Sequence, residues 1–386
     1  MELRFYSAAM LSGKIDSYEL PLSNVRFSDS FTQVGSFEAD LDMRRVVQMA
    51  GLDPTRPSAA AFAECERVLR LVQRGNRTMV PIREDIDAGT SRPAWDRPMG
   101  EWWVESTSRT HASPVVRITG RTWRGYFDQN VMTKNWNLAS VDRVAQFRQL
   151  ITDLTTSGNE VQLDPGSGGT TAVPKGPFKA EAGKDMYGAK MRELQGDAFE
   201  WDINVELTAP DQLRRYLRLY TPEIRGDRTD TALEAVTPGS IPAGVVDISD
   251  EQSVEQLCFD MWAWGSGAGA DQPQARPRAV RPPGFPRWSR SWTGSNATTD
   301  EGVARDGARA IRELTAQYQP FQVEVASDAM PTGGPVLGHA YTWIKEPSLS
   351  MPTSERGTAR LVGWEWRQPR PGEPDTFTLS LLRENP

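Results

Sequence analysis

Phe199-Glu200-Trp201-Asp202-Ile203-Asn204-Val205-Glu206-Leu207 alternates apolar and polar residues without a break, the period-two pattern of a strand with one buried face. Its other face, carrying Glu200, Asp202 and Glu206, is expected to be wet and acidic. The same alternation recurs on both sides. Upstream, Leu3 and Phe5, Val25 and Phe27, then Phe37, Ala39, Leu41 and Met43 sit two apart, with turns at Leu20-Pro21-Leu22-Ser23 and Val34-Gly35-Ser36. Met79 to Arg83, Trp102 to Ser106 and Val115 to Thr119 are further short β-rich segments. Downstream, the strand signal returns in Phe321, Val323 and Val325, in Tyr341 and Trp343, in Val362, Trp364 and Trp366, and in Phe377, Leu379 and Leu381.

Helical periods interrupt these strands. Ser58 is placed to cap a helix whose face is Phe62, Cys65, Val68, Leu69 and Val72, with Gly75 past its end. A second helix is expected to open at Ser140, with Asp142 in its first turn and Val141, Val144, Phe147, Ile151 and Leu154 on one face. Capping boxes at Ser249/Gln252 and Thr298/Glu301 predict two more. The first would carry Val254, Leu257, Cys258 and Met261, with Trp262-Ala263-Trp264 at its end; the second would carry Val303, Ile311, Leu314 and Tyr318 and close at Pro320. The sum is an α+β chain, mostly β, with two small β-barrel or sandwich units and helical α/β parts, unlike the strand–helix alternation of a doubly wound sheet. The expected division is 1–133 for the first β unit, 134–212 for an α/β insert and 213–386 for a second β unit with helical insertions. No fixed-period repeat is visible.

Composition bounds the function. At 386 residues the chain exceeds one ordinary core, and 38% hydrophobic with 25% charged residues describes a globular protein. It has no apolar run of about 18 residues, so no membrane insertion is expected, and its start lacks leader character, so synthesis in a cytoplasm without a cleaved address is expected. A net charge of −7 argues against bulk nucleic-acid binding. Cys65 and Cys258 are too few for a structural zinc set and are expected to be core thiols. His111 and His339, the two histidines, lie in turn-like contexts without metal-ligand spacing or a nucleophile beside them. The acidic Glu84-Asp85-Ile86-Asp87 could supply a glycosidase carboxylate pair but fits a solvated loop better. Gly166-Ser167-Gly168-Gly169-Thr170-Thr171 lacks the Lys-Ser/Thr ending of a phosphate loop, and Asp164 to Gly176 is expected to be an exposed loop. Arg225-Gly226-Asp227 after Pro222 is expected to be a strand-ending turn. The sequons at Asn76 and Asn296 fit a helix exit and a helix cap. No catalytic residue, cofactor or metal is expected.

One stretch is locally basic: Arg276, Arg278, Arg281, Arg287 and Arg290, mixed with Pro282, Pro283, Pro286, Trp288 and Trp292. Arginine interleaved with tryptophan suits a contact with a neighbouring subunit, for which Arg281, Arg287, Trp288, Arg290 and Trp292 are the candidates. Stacking on a sugar or base, and packing within the chain, are the alternatives.

The order of signatures resembles a family. Leu20-Pro21-Leu22, Val25-Arg26-Phe27 and Gly35-Ser36-Phe37-Glu38-Ala39-Asp40-Leu41 resemble the opening of siphophage minor tail proteins of the baseplate-hub type, especially those of actinobacterial phages. Gly100-Glu101-Trp102-Trp103-Val104 followed by Val115-Val116-Arg117-Ile118-Thr119-Gly120-Arg121 is similar to that family's hairpin. Phe199 to Ile203, Arg360-Leu361-Val362-Gly363-Trp364 and Phe377-Thr378-Leu379-Ser380-Leu381 match its later strands in order. The resemblance implies a non-enzymatic ring protein similar to the contractile-phage baseplate hub: two similar β-barrels, trimerised to present pseudo-sixfold symmetry to the hexameric tail tube. It further implies as partners the distal tail protein, the tape measure protein and other minor tail or receptor-binding proteins, with DNA passing through without specific binding. The place would be the virion tail tip, assembled in the host cytoplasm. Glu200, Asp202 and Glu206 would then be lumen or solvent residues. Two other functions compete: binding of cell-surface carbohydrate by exposed Trp288, Trp292 and Trp343, and cell-wall hydrolysis around Asp85 and Asp87.

Overall fold

The computed structural model describes residues 2–383 other than 32, 57, 86–93, 157–160, 167–173, 196–198, 221–225, 236–244, 250–257, 268, 270, 282–286, 294–296, 314–319, 328, 331–333, 346 and 348–353. The chain begins with strands β1 (Glu2–Ala9), β2 (Leu22–Ser30) and β3 (Ser36–Asp42). Val25, Phe27, Phe37, Ala39 and Leu41 all point inward, as their alternation requires. The run stops short of Met43, because the Asp42 carboxylate accepts the Arg44 N–H and turns the chain into α1 (Met43–Met49). Helix α2 (Ala59–Leu71) is capped by Ser58, whose hydroxyl accepts from Ala61 N–H at 3.1 Å. Its inward face is Ala61, Val68 and Leu71, continued by Val72, whereas Phe62, expected on that face, is exposed. Next come β4 (Arg77–Asp85), β5 (Ala94–Pro98), β6 (Trp102–Arg109), β7 (Val115–Arg121) and α3 (Trp123–Asp128).

The middle of the chain supplies β8 (Trp136–Leu138), β9 (Val141–Asp142), α4 (Arg143–Leu154), β10 (Pro174–Lys175), β11 (Phe178–Ala180), α5 (Tyr187–Gln195), β12 (Glu200–Ala209) and β13 (Gln212–Tyr220). The helix expected from Ser140 opens at Arg143: Val141 pairs with Lys175 in a short ladder, and Asp142 is the N-cap, accepting from Ala145 N–H at 2.8 Å. The quoted strand is β12, paired with β13 in an antiparallel hairpin from Glu200↔Tyr220 to Ala209↔Gln212.

The remainder comprises β14 (Gly226–Ala235), β15 (Val245–Ser249), β16 (Asp260–Trp264), β17 (Gln274–Ala275), β18 (Ser289–Trp292), α6 (Asp300–Glu313), β19 (Pro320–Ala326), β20 (His339–Lys345), β21 (Glu355–Arg367) and β22 (Thr376–Arg383). Met261 and Trp262-Ala263-Trp264 lie in a strand, not in the helix expected from the Ser249/Gln252 box; Cys258 precedes that strand, and Ser249, the expected cap, ends β15 in register with Gln322, while Gln252, Val254 and Leu257 lie outside the described residues. The α6 cap is Thr299, one residue beyond the expected Thr298: its hydroxyl accepts from Gly302 N–H at 3.2 Å. Leu314 and Tyr318 lie outside the described residues. Gly226 and Asp227 begin a strand rather than a turn, paired with His339 and Ala340.

The fold is mostly β with several sheets, and α+β as expected. Its principal sheet has 13 strands, ordered β1-β4-β6-β7-β3-β2-β21-β22-β19-β15, with β5 on β4 and β20 joining β21 to β14. The pivot is the antiparallel pairing of β2 with β21, Arg26↔Arg367 to Ser30↔Gly363, which welds the early strands to the late ones. A single apolar cluster lines this junction. Phe27 lies 5.1 Å from the Trp102 ring, 5.7 Å from Trp364 and 5.1 Å from Trp366, in the tilted and edge-on arrangements that aromatic quadrupoles favour. A second cluster packs α3, α4 and α5 against β12 through Phe127, Phe147, Tyr187, Phe199 and Trp201. A third lies between α6 and β16 and holds Met261, Ala263, Val303 and Ile311. Gly307 permits that close approach, since a Cβ there would stand 2.8 Å from Ala263 Cβ and 2.9 Å from Pro277 Cγ. No helix among the described residues is long and apolar enough to cross a membrane.

Candidate functional site

The basic stretch builds the outer face of a small three-stranded sheet, ordered β17-β16-β18. Alternation sorts its residues. Met261 and Ala263 point toward α6, so Asp260, Trp262 and Trp264 point outward. Register brings Arg276 beside Trp262, Arg278 opposite Asp260, and Ser289 and Ser291 beside Asp260 and Trp262. The Asp260 carboxylate, on a buried residue, is the centre of this face. Arg276 grips it with a fork, Nε to Oδ1 at 2.9 Å and Nη2 to Oδ2 at 2.8 Å. Arg278 approaches to 3.7 Å, and Arg287 pairs with Oδ2. The Arg276 guanidinium also covers the Trp262 ring at 4.5 Å, a cation–π contact. Trp264 donates from Nε1 to Ser291 Oγ at 3.2 Å.

Of the five candidates named from sequence, Arg287 joins this cluster, while Trp288 and Arg281 are exposed. Arg290 and Trp292 fall in register with Met261 and Ala263 on the inner side and are half-buried; Trp292 packs on the α6 core. Sequence reasoning missed Asp260 and Trp262. The signal was present in the polar-apolar alternation Asp260-Met261-Trp262-Ala263-Trp264, which the upstream capping box outweighed. Trp343, one of the tryptophans expected to stack on sugar, is buried beside Phe321 at 4.8 Å, which removes it from any such platform.

Three buried or half-buried clasps hold other parts of the fold together. In the first, Glu101 accepts from Arg215 Nε and Nη2, both at 2.6 Å, from Thr78 Oγ1 at 2.6 Å and from Trp123 Nε1 at 3.0 Å. It thereby ties the segment before β6 to β4, α3 and β13. In the second, Arg360 of β21 forks onto Glu200 of β12 at 2.5 and 2.8 Å. Also on β12, Asp202 shares a crevice with Asp29 of β2, Arg124 and Arg218. Burial, then the neighbouring Asp202, pushes the Asp29 carboxyl up to about 8 against the opposing pull of Arg124. Burial likewise raises Asp202, with Arg124 and Arg218 opposing. Arg124 itself donates to the carbonyls of Phe31, at 2.6 Å, and Trp201. The polar face of the quoted strand is therefore a docking face against the principal sheet at Glu200 and Asp202, not a wet one; Glu206 pairs with Arg214 at 3.1 Å.

The third clasp is Asp153 on α4, which accepts from Tyr187 Oη at 2.5 Å and Thr133 Oγ1 at 3.2 Å and pairs with Lys134. Burial alone would raise this carboxyl, but the Lys134 and Tyr187 donors hold it below the usual range. Burial and the same hydrogen bond push the Tyr187 phenol up to about 12.

The remaining motifs sit apart from these sites. His111 is exposed in the β6–β7 turn, and His339 opens β20, half-buried. Glu84 and Asp85 end β4 within its ladder rather than in a loop; Ile86 and Asp87 lie outside the described residues, as do residues 167–171 of the glycine-rich loop and Asn296. The Cys258 thiol is buried and raised by that burial, and Cys65 is half-buried. Among the described residues no three His, Cys, Asp or Glu side chains gather as metal ligands.

No protein-family model and no curated protein matches the chain. Solved structures do. The tail protein from Neisseria meningitidis MC58 superposes on 98% of this chain and 97% of its own, with TM-score 0.57 at 11% identity. The 43 kDa tail protein of prophage MuSo2 from Shewanella oneidensis covers 98% of each chain, with TM-score 0.56 at 10% identity. A chain of the half-lidded Francisella PdpA–VgrG complex is similar to all of this chain over 60% of its own length, with TM-score 0.52 at 7% identity. At such identities the likeness concerns the fold: the chain has a phage-tail and baseplate-like fold.

Proposed function

We propose that this chain is a structural component of a phage tail, a trimeric hub ring at the tail tip that joins the hexameric tail tube and distal tail protein to the tip and forms part of the DNA conduit. The observation that supports the reading is end-to-end likeness: the fold is shared over 98% of this chain with two proteins described as tail proteins, and over nearly all of theirs. The reading rests on analogy of fold across the whole chain rather than on a shared site. The interior fits such a role. The β2–β21 ladder, the Glu101–Arg215 clasp and the Arg360–Glu200 fork join distant parts of the chain into one stiff body, and a ring subunit transmits load through such junctions. A net charge of −7 suits a wall along which a phosphate backbone must slide without sticking.

In this proposal the work is assembly and no reaction is assigned. The partners are two further copies of the chain, the tail tube and distal tail protein, the tape measure protein and other minor tail or receptor-binding proteins, in the virion after assembly in the host cytoplasm. The division at 1–133, 134–212 and 213–386 belongs to the same proposal, with the two β units supplying the pseudo-sixfold face of the trimer. Mass photometry of the purified chain at micromolar concentration, alone and with tail-tube and distal tail proteins, tests the ring. A trimer, or a complex containing three copies, is expected. A stable monomer that binds neither partner overturns the reading.

A further inference from the structure

The outer face of the β17-β16-β18 sheet carries more cation than its carboxylate neutralises. Three guanidinium groups, those of Arg276, Arg278 and Arg287, converge on the single carboxylate of Asp260. The sharing is unequal. Arg276 spends its fork on Asp260 and its side chain is 33% exposed, whereas the side chains of Arg278 and Arg287 are 64% and 52% exposed. Five N–H donors per guanidinium cannot all be used by one carboxylate that already accepts a fork. Asp300, at the start of α6, accepts the Gln274 N–H at 2.8 Å, and α6 packs on the inner side of the sheet.

Apolar surface flanks the charge. Trp262 is 41% exposed, and Ser289 and Ser291, in register with Asp260 and Trp262, are exposed on the same face. Exposed tryptophan beside under-used arginine is the composition of a contact patch.

We infer that this face docks an acidic polypeptide segment of another protein, whose Asp or Glu carboxylates take the outward N–H groups of Arg278 and Arg287 while an apolar side chain lies on Trp262. Charge complementarity selects an anion, and two features select a polypeptide over a phosphate polymer. The exposed Trp262 indole needs an apolar partner, which a polyphosphate lacks. The Asp260 carboxylate at the centre repels a densely charged chain more than it repels single, spaced carboxylates. The inference goes beyond the tail-hub reading and does not depend on it, because the face is complete within one chain.

The test uses the full chain and a fluorescein-labelled peptide alternating Glu and Leu, read by fluorescence anisotropy at low ionic strength. The Glu peptide binds, its Gln counterpart binds at least about tenfold more weakly, and added salt loosens the complex. The double variant R278Q/R287Q loses about tenfold or more, and Trp262→Ser loses several-fold, each with an unchanged circular dichroism spectrum. Arg278→Glu, a change at the most exposed of the three arginines, gives the same loss should the double variant fold poorly. Asp260→Asn, which releases the arginines, binds at least as tightly as the parent. The proposal is overturned if the parent chain ignores the Glu peptide, if the Gln peptide binds equally, if R278Q/R287Q or R278E binds as well as the parent, or if inorganic polyphosphate is preferred at equal charge.

Discussion

Glu101 with Arg215 and Asp260 with its three arginines use one chemistry, the guanidinium–carboxylate fork, in opposite settings. The first pair has both side chains fully buried, and every oxygen of Glu101 is taken by Arg215, Thr78 or Trp123. The second holds one buried carboxylate under arginines that reach into solvent. A sealed one-to-one pair can serve only the fold, because nothing outside can reach it. An open three-to-one cluster has donors left over, and the surplus is what another molecule can use. Breaking each cluster should therefore produce opposite profiles: a large loss of stability in one, a small loss of stability with a large change in association in the other.

The largest expected effect comes from Glu101→Ala. It leaves Arg215 charged, dry and unpaired, at a cost of about 3–5 kcal/mol, read as a fall in thermal or denaturant midpoint. Replacing both members, Glu101→Leu with Arg215→Met, should recover much of that loss, since well-packed apolar groups often substitute for a buried pair. If Glu101→Ala unfolds no more readily than the parent, the clasp is not what joins β4, α3 and β13.

Asp29 and Asp202 lie between these extremes, two carboxyls sharing a crevice with Arg124 and Arg218. The Asp29 carboxyl is raised from its ordinary 3.8 to about 8 by burial and by Asp202. Between those values the folded state holds a proton that the unfolded chain has released, so stability falls as pH rises across that window. The contribution is fully present below the lower value and lost on passing the upper one. Urea midpoints compared near pH 5 and pH 9 should thus decline for the parent, and Asp29→Asn should flatten that decline. An equal decline in both proteins assigns the pH dependence elsewhere.

Legibility in the sequence followed the range of the forces involved. The alternation of Val25 and Phe27, of Phe37 to Leu41 and of Phe199 to Leu207 predicts strands that the structure contains, because a period of two is a local property. Caps were nearly as readable: Ser58 acts where expected, while Asp142 and Thr299 differ by only a residue or two from the expected helix starts. Partners distant in sequence were not readable. Glu200 and Asp202 look like solvent residues until Arg360 and Asp29 are folded against them, 160 and 173 positions away. The basic stretch was visible as composition, but its organiser, Asp260, was hidden within an expected helix. Arg290 and Trp292 fit an interface by residue type, whereas strand register puts them on the inner side.

The smallest stability effect should come from Arg278→Gln, and it decides how the open cluster is understood. Arg278 lies 3.7 Å from Asp260 with a side chain 64% exposed, so water screens most of their attraction and ordering the long side chain offsets much of the rest. Exposed pairs of this kind contribute about 0–1 kcal/mol. Arg276 keeps its fork on the carboxylate in the variant, so Asp260 is not left alone. The midpoint of Arg278→Gln should therefore stay close to the parent's while Glu-peptide binding weakens. A fall comparable to that of Glu101→Ala would mean that all three arginines are needed to bury Asp260, and the contrast between a sealed clasp and an open face would collapse into a single structural role.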